Sequence, residues 1–114
     1  NIAGTFSRLL GHYVREQKVL TLSDAIKRIT LLPAQWLEQA SPVFKTKGRI
    51  QIGADADLVI FDPSVIATTA RYGDPYQASV GINWVVVGGA VVIEKGQRLE
   101  GRYPGRRLIA PQID

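Results

Sequence analysis

The sequence predicts an α+β fold, with two amphipathic helices and a short third helix ahead of a small antiparallel β-sheet. Three observations carry this. Residues 5–37 space their apolar side chains at helical intervals, glycines punctuate short β-branched runs from Gly48 onward, and Gly88-Gly89 stands between two valine-rich runs. The pattern changes around Ser41 and Pro42, so the chain divides into a helical segment, residues 1–41, and a β segment, residues 42–114.

In the first helix Phe6, Leu9, Leu10, Tyr13 and Val14 recur at i, i+3, i+4, i+7 and i+8, which makes one apolar stripe. Arg8, Gly11, Arg15 and Glu16 fall on the other side. A second helix is expected from Thr21, whose hydroxyl can cap the amide of Asp24 while that carboxylate answers in capping-box fashion and favours the positive end of the helix. Leu22, Ala25, Ile26 and Ile29 form its buried face. Proline disfavours helical geometry in the residue before it, so Pro33 predicts an end near Leu32 and the start of a short helix through Trp36 and Leu37.

In the β segment the apolar run Leu58–Phe61 has the pattern of a strand covered on both faces. Residues 85–87 lead into Gly88-Gly89 and residues 91–93 lead out. Two glycines can take the positive φ angles that a two-residue hairpin turn demands, and Gly96 is expected to end the return strand. Residues 63–82, with Pro63, Gly73, Pro75 and Gly81, lack periodicity and read as a long connection over the surface.

A length of 114 residues fits one domain, and 46% hydrophobic with 21% charged residues is the balance of a folded soluble protein. The absence of cysteine excludes disulfides and a thiol nucleophile and fits a reducing compartment, the cytoplasm. No apolar run reaches the ~18 residues of a membrane span, and neither a signal-like segment nor an initiating Met precedes Asn1, which reads as trimming or a fragment. The net charge is +4, but the basic residues are scattered from Arg8 to Arg107, so no nucleic-acid partner is expected.

Residues that could carry chemistry are scarce. A hydrolytic zinc site draws three ligands from His, Cys and carboxylates, and the chain has one His and no Cys. His12 lies toward the polar side of the first helix, the place of an exposed or lightly hydrogen-bonded imidazole. Asp55, Asp57 and Asp62 sit among turn residues and at strand ends, where aspartate serves local hydrogen bonds. Ser7, Ser23, Ser41, Ser64 and Ser79 offer hydroxyls, none in a nucleophile-elbow pattern. No helix follows Gly88-Gly89 to present its amino end to a phosphate. Trp36, Trp84, Tyr13 and the other aromatics read as core or interface filler and not as a base-stacking platform. No catalytic, cofactor-binding or metal-ligating residue is therefore assigned to this chain.

Longer stretches carry a family likeness. Gly4-Thr5-Phe6-Ser7-Arg8-Leu9-Leu10-Gly11, Tyr13-Val14-Arg15-Glu16, Leu20-Thr21-Leu22-Ser23-Asp24-Ala25-Ile26 and Leu32-Pro33-Ala34 resemble the closing barrel segment of N-acyl-D-amino-acid deacylases in the amidohydrolase superfamily. The run from Gly48 to Pro63, the strand pair around residues 85–93 and Gly101-Arg102-Tyr103-Pro104-Gly105-Arg106 resemble the segment that follows there. The resemblance implies a parent enzyme with a metal-bearing (β/α)8 barrel and a small composite β domain, of which this chain is the carboxy-terminal part. It implies zinc in the full-length parent, polarising an amide carbonyl and activating water, with an upstream Asp moving the proton. None of the family's metal-binding His pairs, Cys or catalytic Asp motifs matches a residue here, so the chain alone is expected to be inactive and metal-free. Its expected partners are the rest of the parent or further copies of itself, met through the Phe6, Leu9, Leu10 and Tyr13 stripe and the Leu58–Phe61 strand. The Gly-x-Ile to Ala-Asp-Leu-Val pattern is shared with hydantoinases and dihydroorotases, which leaves a cyclic amidohydrolase as an alternative beside a stand-alone oligomerisation module.

Overall fold

The computed structural model describes residues 3–109. Residues 1–2 and 110–114, which the two predicted segments include, lie outside the described residues. Helix α1 (Thr5–Arg8) runs directly into a π-helical stretch, Leu9–Glu16, and is followed by α2 (Leu22–Ile29), α3 (Leu31–Glu38) and a 3-10 turn, Pro42–Thr46. Strands β1 (Leu58–Phe61), β2 (Ile82–Val87), β3 (Ala90–Glu94) and β4 (Gln97–Arg98) form one four-stranded sheet in the order β1-β2-β3-β4. Every neighbouring pair is antiparallel, as the α+β reading predicts.

The first helix departs from its α-helical expectation. The amide of Gln17 donates to the carbonyl of His12 at 2.8 Å, an i→i+5 bond. Such wide turns let the backbone lean on its neighbour, and they coincide with Gly11, where a Cβ would stand only 2.4 Å from the carbonyl oxygen of Ile66. Gly11 and Arg15, expected on the solvent side, therefore face the segment after β1. The single stripe splits: Leu10 is buried, Leu9 and Val14 pack beside it, while Phe6 is 61% and Tyr13 39% exposed.

The Thr21 half of the expected capping box forms, with its backbone extended and its hydroxyl accepting the Asp24 amide at 3.1 Å, while the answering bond from the Asp24 carboxylate is not seen among the described residues. The helix ends earlier than Pro33 predicts. Thr30 breaks it with φ −128° and ψ −78°, and its hydroxyl donates back to the carbonyl of Ile26 at 2.7 Å. Pro33 then falls inside the first turn of α3, where its missing N–H costs nothing and the carbonyl four residues earlier, on Ile29, already belongs to another helix. Gly48 packs on this break: its φ is +68° and a Cβ would lie 2.3 Å from the carbonyl oxygen of Thr30.

The predicted hairpin is present. Val85 pairs with Ile93, Val86 with Val91 and Val87 with Ala90, around Gly88 and Gly89 at φ +56° and +82°. A second two-residue turn, Lys95 and Gly96 at φ +50° and +79°, connects β3 to β4. The two-sided cover expected for β1 is not found within residues 3–109. β1 is an edge strand, and Val59 and Ile60 are 55% and 56% exposed.

One small core joins helices to sheet: Leu10, Ala25 and Ile66, with Leu9, Val14, Leu20, Leu22, Ile26, Phe61 and Ile82 packed against them. Ile66, only 2% exposed, comes from the stretch expected to cross the surface. The carbonyl of Asp62 takes the amides of Val65 and Ile66 at 3.1 and 2.8 Å, which turns the chain inward. Ala67 then pairs with Val80, and Gly81 packs so closely that a Cβ would meet the Ile66 backbone at 2.6 Å.

Candidate functional site

The contact between the π-helical stretch and residues 66–68 leaves a polar cleft of about 220 Å³, lined by Arg8, Gly11, His12, Arg15, Glu16, Ala67 and Thr68. The wide helical turns and the bare Gly11 backbone set its floor. Arg15 is fixed there, its Nη1 donating to the carbonyls of Pro63 at 3.0 Å and Ile66 at 2.7 Å. It thereby satisfies the acceptors where the chain turns into the core. His12 Nδ1 lies 2.9 Å from Glu16 Oε2, and its ring meets Tyr13 edge-on with centroids 4.9 Å apart. Arg8 stands over the Tyr13 ring at 5.9 Å.

A second, apolar groove of about 360 Å³ lies between this helix and α2, lined by Thr5, Phe6, Arg8, Leu9, Tyr13 and Ile29. Sequence reasoning missed both hollows. The i,i+4 spacing of His12 and Glu16 is legible in the sequence, but the opposite walls, Thr68 and Ile29, arrive through tertiary packing.

The cleft holds one imidazole and one carboxylate, fewer than the three protein ligands of a zinc site. Among the described residues no group of three His, Cys, Asp or Glu could hold a metal ion. The residues present thus do not fit the metal that the family likeness implies.

Asp62 is held within its own turn, whereas Asp55 and Asp57 take partners from other segments. Lys47 Nζ reaches Asp57 at 2.7 Å and Asp55 at 3.2 Å, and Asp55 also accepts the Thr46 hydroxyl at 2.8 Å. The other Asp57 oxygen accepts the Gly88 amide at 2.8 Å, fastening the hairpin tip to the 3-10 turn. The Lys47 hydrogen bond, followed by the Gly88 amide, lowers the Asp57 pKa, while the Thr46 hydroxyl and then Lys47 lower that of Asp55. Asp57 in turn raises the Lys47 pKa. Asp62 accepts both the hydroxyl and the amide of Ser64, at 2.6 and 2.8 Å, and the hydroxyl is the main reason its pKa falls.

Ser7 and Ser79 come together from distant parts of the chain. The buried Ser7 hydroxyl donates to Ser79 at 2.6 Å and ties α1 to the segment before β2. Ser41 is buried with its hydroxyl unpartnered, and Ser23 is exposed. Gly88-Gly89 is a hairpin tip followed by β3. Trp84 is half-buried in β2, whereas Trp36, at 73% exposed, is not core.

Residues 2–93 match the profile of the amidohydrolase family. The chain is 40% identical over 105 residues to an N-acyl-D-glutamate deacylase and 39% identical over 105 residues to a D-aminoacylase, both from Alcaligenes xylosoxydans xylosoxydans. Each alignment covers 92% of this chain and 20% of the relative, so the chain spans about a fifth of the length of the curated relatives it matches. It superposes on a D-aminoacylase mutant solved with copper chloride at a TM-score of 0.81, with 39% identity over 92% of this chain and 21% of that one. On N-acyl-D-glutamate deacylase from Bordetella bronchiseptica, solved with zinc and a phosphonate mimic of the tetrahedral intermediate, the TM-score is 0.68, with 46% identity over 78% of this chain and 18% of that one. The shared profile runs from α1 into β3, through the helices, the core and the glycine-led approach to β1, and on that ground the chain belongs to the amidohydrolase family.

Proposed function

We propose that the chain is the carboxy-terminal part of an N-acyl-D-amino-acid deacylase, a hydrolase of non-peptide carbon–nitrogen amide bonds. The observation that carries this reading is likeness over nearly the whole chain to relatives named for deacylation of different N-acyl-D-amino acids. What those relatives have in common is the D-amino-acid amide. On this reading the metal ligands come from other segments of the enzyme; among the described residues no group of three His, Cys, Asp or Glu could hold a metal ion. No step of the hydrolysis is assigned to them. Their contribution is a packed junction that holds a helical edge against a small sheet, and the lack of cysteine suits the reducing cytoplasm.

Expressing the natural reading frame that contains this chain, and assaying it on N-acetyl-D-glutamate, N-acetyl-D-aspartate and N-acetyl-D-leucine, tests the proposal. Release of free D-amino acid that a chelator abolishes and zinc restores is expected. The 114-residue chain alone is expected to show no turnover and no stoichiometric zinc by elemental analysis. Hydrolysis of a hydantoin but of no N-acyl-D-amino acid by the longer protein, or chelator-sensitive turnover by the isolated chain, would overturn it.

A further inference from the structure

The polar cleft beside the π-helical stretch gathers more positive charge than its own carboxylate offsets. Arg15 is pinned there by two backbone carbonyls, Pro63 at 3.0 Å and Ile66 at 2.7 Å, and the Glu16 carboxylate stands 3.9 Å from its Nη2. Carbonyls fix a guanidinium without neutralising it. Arg8 also lines the cleft, is exposed, and has no carboxylate within ion-pair distance among the described residues; it stands over the Tyr13 ring. Glu16 is engaged more closely by His12, at 2.9 Å. Two guanidiniums thus share the cleft with one carboxylate, which leaves one positive charge unmatched.

A neutral donor completes the set. The Thr68 hydroxyl accepts the Ala70 amide at 3.1 Å, which fixes its oxygen, and among the described residues no acceptor takes its hydrogen. The volume of about 220 Å³ falls below the ~300–1,000 Å³ of pockets for drug-sized molecules, so the occupant is small. Planar guanidinium forks take carboxylate and phosphate oxygens in charge-assisted bonds, whereas a cation would meet two arginines. The π geometry that opens the cleft is itself a feature that recurs at functional sites. We propose that the cleft of Arg8, Arg15 and Thr68 is a binding site for a small oxyanion, a carboxylate or phosphate group, held by the two guanidiniums and the Thr68 hydroxyl. Glu16 is the like charge at the site and weakens the hold.

The test uses the longer protein and phenylglyoxal, which adds to accessible guanidiniums, with the modification of each arginine followed by mass spectrometry at constant ionic strength in chloride. Sodium phosphate or sodium acetate should slow the modification of Arg8 severalfold and leave Arg107, exposed and outside the cleft, unchanged. Protection by phosphate alone identifies free phosphate as the source, and protection by acetate identifies a small carboxylate. Thr68→Val should raise the anion concentration needed for half-protection severalfold and Thr68→Ser should restore it, while Glu16→Gln should lower it. Equal slowing at Arg8 and Arg107, no slowing by either anion, an Arg8 that does not react in chloride alone, or half-protection unmoved by Glu16→Gln would each overturn the proposal. Turnover is not the readout, so loss of the deacylase reading and loss of the anion site are separate results.

Discussion

Truncating Ile66 to alanine tests whether the segment after β1 belongs to the core. The side chain is 2% exposed and, among the described residues, is the large apolar group most fully enclosed. Removing three methyl or methylene groups forfeits about 0.8 kcal/mol each, roughly 2.4 kcal/mol of transfer free energy. The surroundings are poorly able to close the hole, because the backbones of Gly11 and Gly81 already press on this segment at distances that leave no room for a Cβ. The cavity left behind brings the expected loss to about 3–4 kcal/mol, within the usual range for Ile→Ala. That is a large share of the roughly 5–15 kcal/mol that holds an ordinary domain together. Urea unfolding followed by far-ultraviolet circular dichroism reads it directly. Val65→Ala, at a neighbour 51% exposed, serves as the control and should cost no more than about 0.5 kcal/mol. If the two variants unfold at the same urea concentration, residues 63–81 are a surface connection after all and the core described here is wrong.

The two glycine-led approaches to β1 should differ in tolerance. Gly48→Ala combines positive φ with a Cβ 2.3 Å from the Thr30 carbonyl and should cost roughly 2–4 kcal/mol, whereas Gly53→Ala, at φ +85° with open space around it, should cost about 1 kcal/mol; equal losses by chemical denaturation would contradict the close packing. The Lys47 and Asp57 pair predicts pH dependence at both ends of the scale. Asp57 has a folded pKa below its unfolded value, so its contribution is complete above about pH 4 and is lost as pH falls through the lowered value. Lys47, raised from 10.5, contributes fully below that pH and loses its contribution as pH rises through the folded value. Both side chains are partly exposed, so each effect should be small and weakened by salt. Asp57→Asn should flatten both limbs of the stability profile, and an unchanged acid limb would dismiss the latch. Finally, β1 leaves an open edge with Val59 and Ile60 exposed, and the isolated chain at high micromolar concentration should self-associate in light scattering. Val59→Lys should suppress this, and a wild-type monomer throughout would refute it.

Features closed over a few neighbouring residues were legible in the sequence. Gly88-Gly89 between valine runs specified the β2–β3 hairpin, because a two-residue turn with both φ positive has few other solutions. Thr21 specified the start of α2 through one bond to Asp24. The turn role of Asp62, accepting from Ser64, followed from position, whereas Asp57 reaches Lys47 and Gly88, partners that position did not show. The family likeness was legible in the same way, through stretches that keep their local geometry.

Tertiary structure decided what depends on approach from far along the chain. The break between α2 and α3 falls at Thr30 and not near Leu32, at the point where Gly48 closes on the Thr30 carbonyl, and no local propensity encodes that meeting. The first helix widens into π geometry, and Arg15 turns inward, where Ile66 and Pro63 present carbonyls to them. Ile66 itself carried no periodic signal, because it is buried by a chain reversal whose two arms meet at Ala67 and Val80. The apolar run of β1 implied cover on both faces, and whether cover is present depends on what lies beside the strand. By itself the sequence determined the division into a helical and a β segment, the cap of α2 and the β2–β3 turn, since these follow from residue type and spacing. Only the packed structure decided which apolar residues became core and which remained as open faces, because burial is a property of the neighbours that arrive.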